Sequence, residues 1–222
     1  MKYLLIAFLL ILAVNINAHE RWSKGYITTN NNEIVKGQIF VSGNSPFTNA
    51  VVFAGIDLEG FYGVVRFKND MGKIFIYEPD DIRAFGFSYF GTDYKFVSNL
   101  LLFKSLIKSD RARQRFLCLE YKGAVSLFND CVTLQHDVVG VGGGRNLEYI
   151  TYHEYYLYSE ENGLQWVDLR GKANLKHYLI KSGVNEQFII EYPDVLKVRE
   201  LQTILKSYDD WLVSRKEEGL ST

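Results

Sequence analysis

The residues with chemical reach are few and scattered. Four histidines stand at positions 19, 136, 153 and 177, and two of them precede an acid, as His136-Asp137 and His153-Glu154. An imidazole oriented by a carboxylate is the heart of an acid–base relay. Neighbours along a strand, however, point to opposite faces, so neither dipeptide forms a dyad by itself. No His-x-x-x-His spacing marks a metal-binding helix, and two cysteines do not complete a ligand set, so no metal or other cofactor is expected. A Gly-x-Ser-x-Gly nucleophile elbow is absent, and neither cysteine has a catalytic context.

Carboxylates are more plentiful, at Asp57 and Glu59 and in Glu78-Pro79-Asp80-Asp81. Glycoside hydrolysis needs two acids facing each other across a cleft. The second group, with its proline, is more simply a turn whose acids cap backbone groups. Cys118 and Cys131 are candidates for a disulfide, which would close a short loop and stabilise by about 3 kcal/mol. Two buried thiols are the alternative. A hairpin turning at Lys122-Gly123 would set Cys118 opposite about residue 127, which argues against the bridge.

The segment Val139–Asn146 reads VGVGGGRN and is the glycine-rich loop of the chain. A dinucleotide fingerprint needs a third glycine where Arg145 stands, and a phosphate loop needs a lysine and a hydroxyl after the last glycine. Neither is present. The expectation is a mobile strand-to-strand loop in which Gly140, Gly142, Gly143, Gly144 and Arg145 could form a binding loop, with Arg145 as an anion contact. Aromatic rings are dense, with fifteen Tyr, fifteen Phe and three Trp. Exposed rings could stack on sugars. The crowd at Tyr149, Tyr152, Tyr155, Tyr156 and Tyr158 nevertheless divides between both faces of a strand, as cross-strand packing requires.

These residues must be positioned by a β-rich scaffold. Gly25–Thr29, the polar turn Asn30-Asn31-Asn32 and Ile34–Val41 read as a hairpin, because consecutive asparagines tolerate the left-handed backbone of tight turns. Further runs lie at Ala50–Phe53, Phe61–Phe67, Lys73–Tyr77, Ala84–Phe90, Tyr94–Ser98, Arg115–Tyr121, Ala124–Phe128, Val132–Asp137, Glu148–Tyr158 and Leu164–Leu169. A short helix is expected over Lys172–Ile180 and a helix start at Pro193-Asp194. Beyond it, Val198, Leu201, Ile204, Leu205, Tyr208, Trp211 and Leu212 recur at spacings of three and four, the signature of one apolar helix face. The fold class is therefore mainly β, antiparallel and sandwich- or barrel-like, with a C-terminal amphipathic α-helix.

At the start, Lys2 precedes an apolar run from Leu4 to Val14, and Ile16-Asn17-Ala18 offers a cleavage site, the three parts of a signal peptide. The run falls short of the roughly 20 residues that cross a bilayer. Residues 1–18 are thus a signal peptide, 19–170 a β-rich domain, and 171–222 a helical part packed on the same domain. No transmembrane helix remains after cleavage. Lys and Arg total 25 against 26 acids, a net charge of −1 without a basic run. This near-neutral charge gives no electrostatic footprint for nucleic acid or anionic lipid. With 47% apolar residues the chain can bury a core and is not of disordered composition.

Several of these segments together resemble a loosely defined family of exported bacterial proteins of unknown function. Its members open with Gly-Tyr-Ile, a turn and a hydrophobic-Lys-Gly-x-Ile strand; here these are Gly25-Tyr26-Ile27 and Val35-Lys36-Gly37-Gln38-Ile39, with Asn31-Asn32-Glu33-Ile34 replacing the usual turn. Tyr77-Glu78-Pro79-Asp80-Asp81-Ile82 with Phe85 is similar to its Tyr-x-Pro-x-Asp-Ile element. Phe116-Leu117 through Gly123 to Leu127-Phe128 is similar to its later hairpin, and Tyr208-Asp209-Asp210-Trp211 to its terminal helix. The resemblance implies an envelope-located β module, sometimes found ahead of an outer-membrane barrel, and supplies no catalytic residues. The expected function is an exported, non-enzymatic binding or interaction module in the periplasm, at the outer membrane or outside the cell. Its expected partner is another envelope protein or a glycan, and not nucleic acid. The other classes are a carbohydrate-active or other hydrolase using paired carboxylates, and a small outer-membrane barrel, for which most strand runs are too short.

Overall fold

The computed structural model describes residues 21–41, 59–102, 114–139, 145–168, 172–197, 200–217 and 219. The signal segment 1–18, the run 50–53, Asp57, the loop residues 140–144 with their four glycines, and Val198 lie outside them. The strands are β1 (Arg21–Thr29), β2 (Ile34–Val41), β3 (Val65–Lys68), β4 (Ile74–Tyr77) and β5 (Ile82–Tyr89). They continue as β6 (Thr92–Ser98), β7 (Phe116–Tyr121), β8 (Ser126–Val139), β9 (Arg145–Ser159) and β10 (Gly163–Val167).

All of them join one antiparallel sheet of 10 strands, in the order β10-β9-β8-β7-β6-β5-β1-β2-β3-β4. Neighbouring strands follow one another in the chain except at one place. After β4 the chain crosses to the far side of β1, where β5 pairs with it. The sheet stays open, with β4 and β10 as its edges, rather than closing into a barrel. Helices α1 (Lys172–Lys181), α2 (Glu186–Glu191) and α3 (Leu201–Glu217) supply part of the second layer that closure would otherwise provide. No helix among the described residues is long and apolar enough to cross a membrane.

Period-two alternation decides which face is core. Ile27, Ile39, Phe67, Phe85, Phe87 and Phe96 turn inward and are almost fully buried. Their rings stack on one another: Phe85 and Phe96 lie 4.7 Å apart and nearly parallel, and Phe61 sits 5.0 Å from Phe87. The Gly-Tyr-Ile and Lys-Gly-x-Ile segments follow from this packing. Gly25 pairs with Gly37 across β1 and β2, and a Cβ on Gly37 would lie 2.5 Å from the Phe67 ring. On the other face the Tyr26 ring covers Gly86, where a Cβ would approach to 2.8 Å. Glycine in these places lets an aromatic ring lie flat on the backbone.

The second core cluster joins the sheet to the helices. Leu127, Leu157 and Val167 meet Leu179, Phe188, Ile204, Leu205, Tyr208 and Trp211. The expected apolar face of the C-terminal helix is therefore core, since Leu201, Ile204, Leu205, Tyr208 and Trp211 are all buried. That helix begins at Leu201; Pro193-Asp194 instead opens a 3-10 turn, Pro193–Lys197. β8 contributes Cys131, Leu127 and Phe128 to three clusters, so the packing is continuous across the sheet.

Asp209 fastens α3 to the β7–β8 turn. Its carboxylate accepts from the Tyr121 hydroxyl at 2.6 Å and from the Ala124 amide at 3.1 Å. Burial and this hydrogen bond push the Tyr121 phenol up to about 12. Gly123 leaves the space, because a Cβ there would lie 2.0 Å from the carboxylate. Asp209→Ala should therefore lower the unfolding free energy by about 1–3 kcal/mol. A denaturant titration checks this, and Tyr121→Phe made on top of Asp209→Ala should add little.

Candidate binding face

The outer face of β1–β4 carries the residues that alternate with the core. The register sets Trp22 beside Phe40, Lys24 beside Gln38 and Tyr26 beside Lys36. Gln38 in turn pairs with Lys68, Lys68 with Ile74, and Arg66 with Ile76. One cross-strand row thus runs Lys24, Gln38, Lys68, Ile74. A parallel row contains Trp22, Phe40, Arg66 and Ile76, because Arg66 packs over the Phe40 ring at 5.4 Å. Lys95, paired with Gly86 next to Tyr26, extends the face onto β6. Lys24, Lys36 and Arg66 are exposed.

Among the described residues, cations predominate on this face: Lys24, Lys36, Arg66, Lys68 and Lys95, with Asp93 on β6, Asp70 at the β3–β4 turn and Glu78 after β4 as the nearby acids. Asp93 is itself engaged by the Ser88 hydroxyl, and burial together with Asp93 raises the Tyr26 phenol. An open groove of about 460 Å³ runs between Lys24, Tyr26, Ile34, Lys36, Gln38 and Asp70. Lys68 Nζ sits 4.3 Å from the centre of the Trp22 ring, and the ring meets Phe40 edge-on at 5.4 Å. These cation–π contacts fix the cations over the sheet without neutralising them. A second cleft, by the β9–β10 turn, is lined by Glu160 and Glu161 with Asn162 and Gly183. Basic groups gather on one face and acids at another cleft, which is how a chain of net charge −1 holds a strongly basic surface.

The residues singled out in the sequence fall elsewhere. Arg145 opens β9 opposite Val139, and His136 and Asp137 lie on β8 in register with Glu148 and Leu147. His153 and Glu154 do part to opposite faces. His153 meets buried Asn129, whose amide donates to Glu120 at 2.6 Å, whereas Glu154 accepts from Tyr156. Asp81 accepts from the Glu78 amide at 2.8 Å, so the acids of Glu78-Pro79-Asp80-Asp81 shape a turn. Tyr155 packs toward the helices, and Tyr156 and Tyr158 pack with Phe128 and Leu164 on the other side. Among the described residues no group of three or more His, Cys, Asp or Glu could hold a metal ion.

Cys118 and Cys131 are both buried and their sulfurs are not joined. Cys118 pairs with Asn129, two residues short of Cys131 on the same strand face. Diagonal neighbours of this kind lie about 7–8 Å apart, beyond the usual reach of a disulfide. Burial, with the charge of Glu120, pushes the Cys118 thiol up to about 12, where it is a poor nucleophile. Arg115 and buried Asp130 form an enclosed ion pair, 3.2 Å apart. Arg115 also donates to the Cys131 carbonyl at 3.1 Å and lies over the Tyr62 ring at 5.2 Å. The pair ties the entry of β7 to β8, and it faces protein groups on these sides.

Sequence reasoning missed the basic face because its cations form no run. They sit at alternate positions of different strands, and the register alone assembles them. Their signal was the alternation Trp-x-Lys-x-Tyr in β1 and Arg-x-Lys in β3. Comparison with known proteins finds no family, no curated protein and no solved structure that matches this chain.

Proposed function

We propose that this chain is an exported cell-envelope protein that works as a binding module rather than as an enzyme, with the outer face of β1–β4 as its binding face. One observation supports this above the rest: Lys24, Lys36, Arg66 and Lys68 are gathered on the face turned away from the core. A surface of this kind attracts a partner of opposite charge and steers its approach. Export is argued from the signal-like pattern of residues 1–18. The partner is a negatively charged component of the envelope.

The test is cell fractionation with a charge-reversed triple variant, Lys24→Glu, Lys36→Glu and Arg66→Glu. All three side chains are exposed, so the melting temperature should stay near that of the parent protein. The parent is expected in the envelope-bound fraction and the variant in the soluble one. A folded variant that remains bound would refute the assignment of the face.

A further inference from the structure

Resting on the binding face just proposed, we infer that its partner is the surface of an anionic lipid bilayer, with aliphatic side chains of β4 and the flanking turns entering below the phosphates that the cations hold. The evidence is an amphipathic sorting of the same face. Ile74 is 53% exposed and Ile76 63%, and both are direct cross-strand partners of cations, Lys68 and Arg66. Ile34, on the groove, is 65% exposed, and Met71, at the β3–β4 turn, 87%. Large aliphatic groups held this far into water mark a contact surface when they adjoin one another.

Each feature fits a bilayer better than another polyanion. Single-stranded nucleic acids and glycans are held on free ring faces, whereas Trp22 is engaged by Lys68 and Phe40 by Arg66. A nucleic-acid duplex would engage the cations alone, which leaves the isoleucines directly beside them without a role. A bilayer uses both kinds of group at once: phosphates meet lysine and arginine, and isoleucine and methionine pass into the acyl boundary. Trp22 and Tyr26 lie on the same face, and amphipathic rings of this kind favour the membrane–water interface. The chain's near-neutral net charge does not oppose this, because charges more than about 8 Å away are largely screened at physiological salt. The broad expectation from composition, that the chain offers nothing to anionic lipid, is thereby replaced by a local one.

Co-sedimentation with vesicles tests the inference, using the protein as recovered from cells. One set is phosphatidylcholine alone, and in the other part of it is replaced by phosphatidylglycerol. Binding is expected to the phosphatidylglycerol vesicles, to weaken in high salt, and to be negligible on phosphatidylcholine. The double variant Ile74→Ser, Ile76→Ser removes the aliphatic groups without changing the charge of the face, and it shares the parent's N-terminus, so any contribution of residues 1–18 cancels. It should bind about tenfold or more weakly, with an unchanged melting temperature. Equal binding by this variant and the parent overturns the bilayer inference and leaves the basic face as a site for a soluble polyanion. A parent dimer that Ile74→Ser, Ile76→Ser dissolves would also overturn it, because those isoleucines would then face a second copy. If Lys24→Glu, Lys36→Glu, Arg66→Glu binds vesicles as the parent does, the binding face itself falls.

Discussion

Trp211→Ala should lower the unfolding free energy by about 3–5 kcal/mol, the cost of emptying a large buried aromatic site. Trp211 is 4% exposed and packs against Phe188 and Tyr208, with ring centres 5.8 and 5.9 Å away. Its indole nitrogen donates to Glu191 at 2.7 Å, and the Arg215 guanidinium lies 5.3 Å from its ring. Truncation therefore leaves a cavity and removes one of the links between α2 and α3, leaving the Phe188–Tyr208 contact and the Arg215–Glu191 pair. Trp211→Phe keeps most of the volume and loses only the hydrogen bond, so it should cost about 1–2 kcal/mol. Denaturant titrations measure both. An unchanged midpoint for Trp211→Ala would mean that this helix face is a partner surface, contrary to its packing.

Phe96→Ala should have an effect of the same size, about 3–5 kcal/mol, in the aromatic cluster at the middle of the sheet. Phe96 is fully buried and is the ring on which Phe61, Tyr62, Phe85 and Phe87 converge. It pairs with Phe85 on one side and Cys118 on the other, so it also holds β6 between β5 and β7. Because β8 links the clusters, both substitutions should shift one cooperative transition rather than split it. Two separate transitions would show that the β1–β7 part and the helical part unfold independently.

Local chemistry made much of the fold legible. The asparagine turn is where the sequence places it, with Asn32 at φ +66°, and the Asn69–Gly72 turn ends on Gly72 at φ +77°. The three-and-four spacing of Leu201, Ile204, Leu205, Tyr208 and Trp211 marks a buried helix face, and these side chains are buried. What stayed hidden depended on groups far apart in the chain. Asn129-Asp130 looks like the end of a strand, yet β8 runs through it. Asn129 meets Glu120 and His153, and Asp130 faces the Arg115 guanidinium, so both polar residues have partners inside the sheet.

The β7–β8 turn was misjudged for a related reason. It spans Lys122 to Val125, longer than a two-residue turn, and together with a register shift between Leu119 and Tyr121 this sets Cys118 opposite Asn129. Phe90-Gly91 turns β5 into β6 with both residues at positive φ, 47° and 79°, although phenylalanine is an unusual choice there. The short α2 escaped notice because its six residues are too few to show a period. The binding face was invisible for the most basic reason: five cations spread over four strands become neighbours only through pairing.

A photo-crosslinking amino acid placed at position 36, on the basic face, tests the central claim most directly when compared in intact cells with the same group at position 206, exposed on α3. Irradiation is predicted to join position 36, and not position 206, to an envelope component. Crosslinks from position 206 alone, or none from position 36 in a protein that is folded and exported, would contradict the assignment of the outer face of β1–β4 as the surface by which this protein binds.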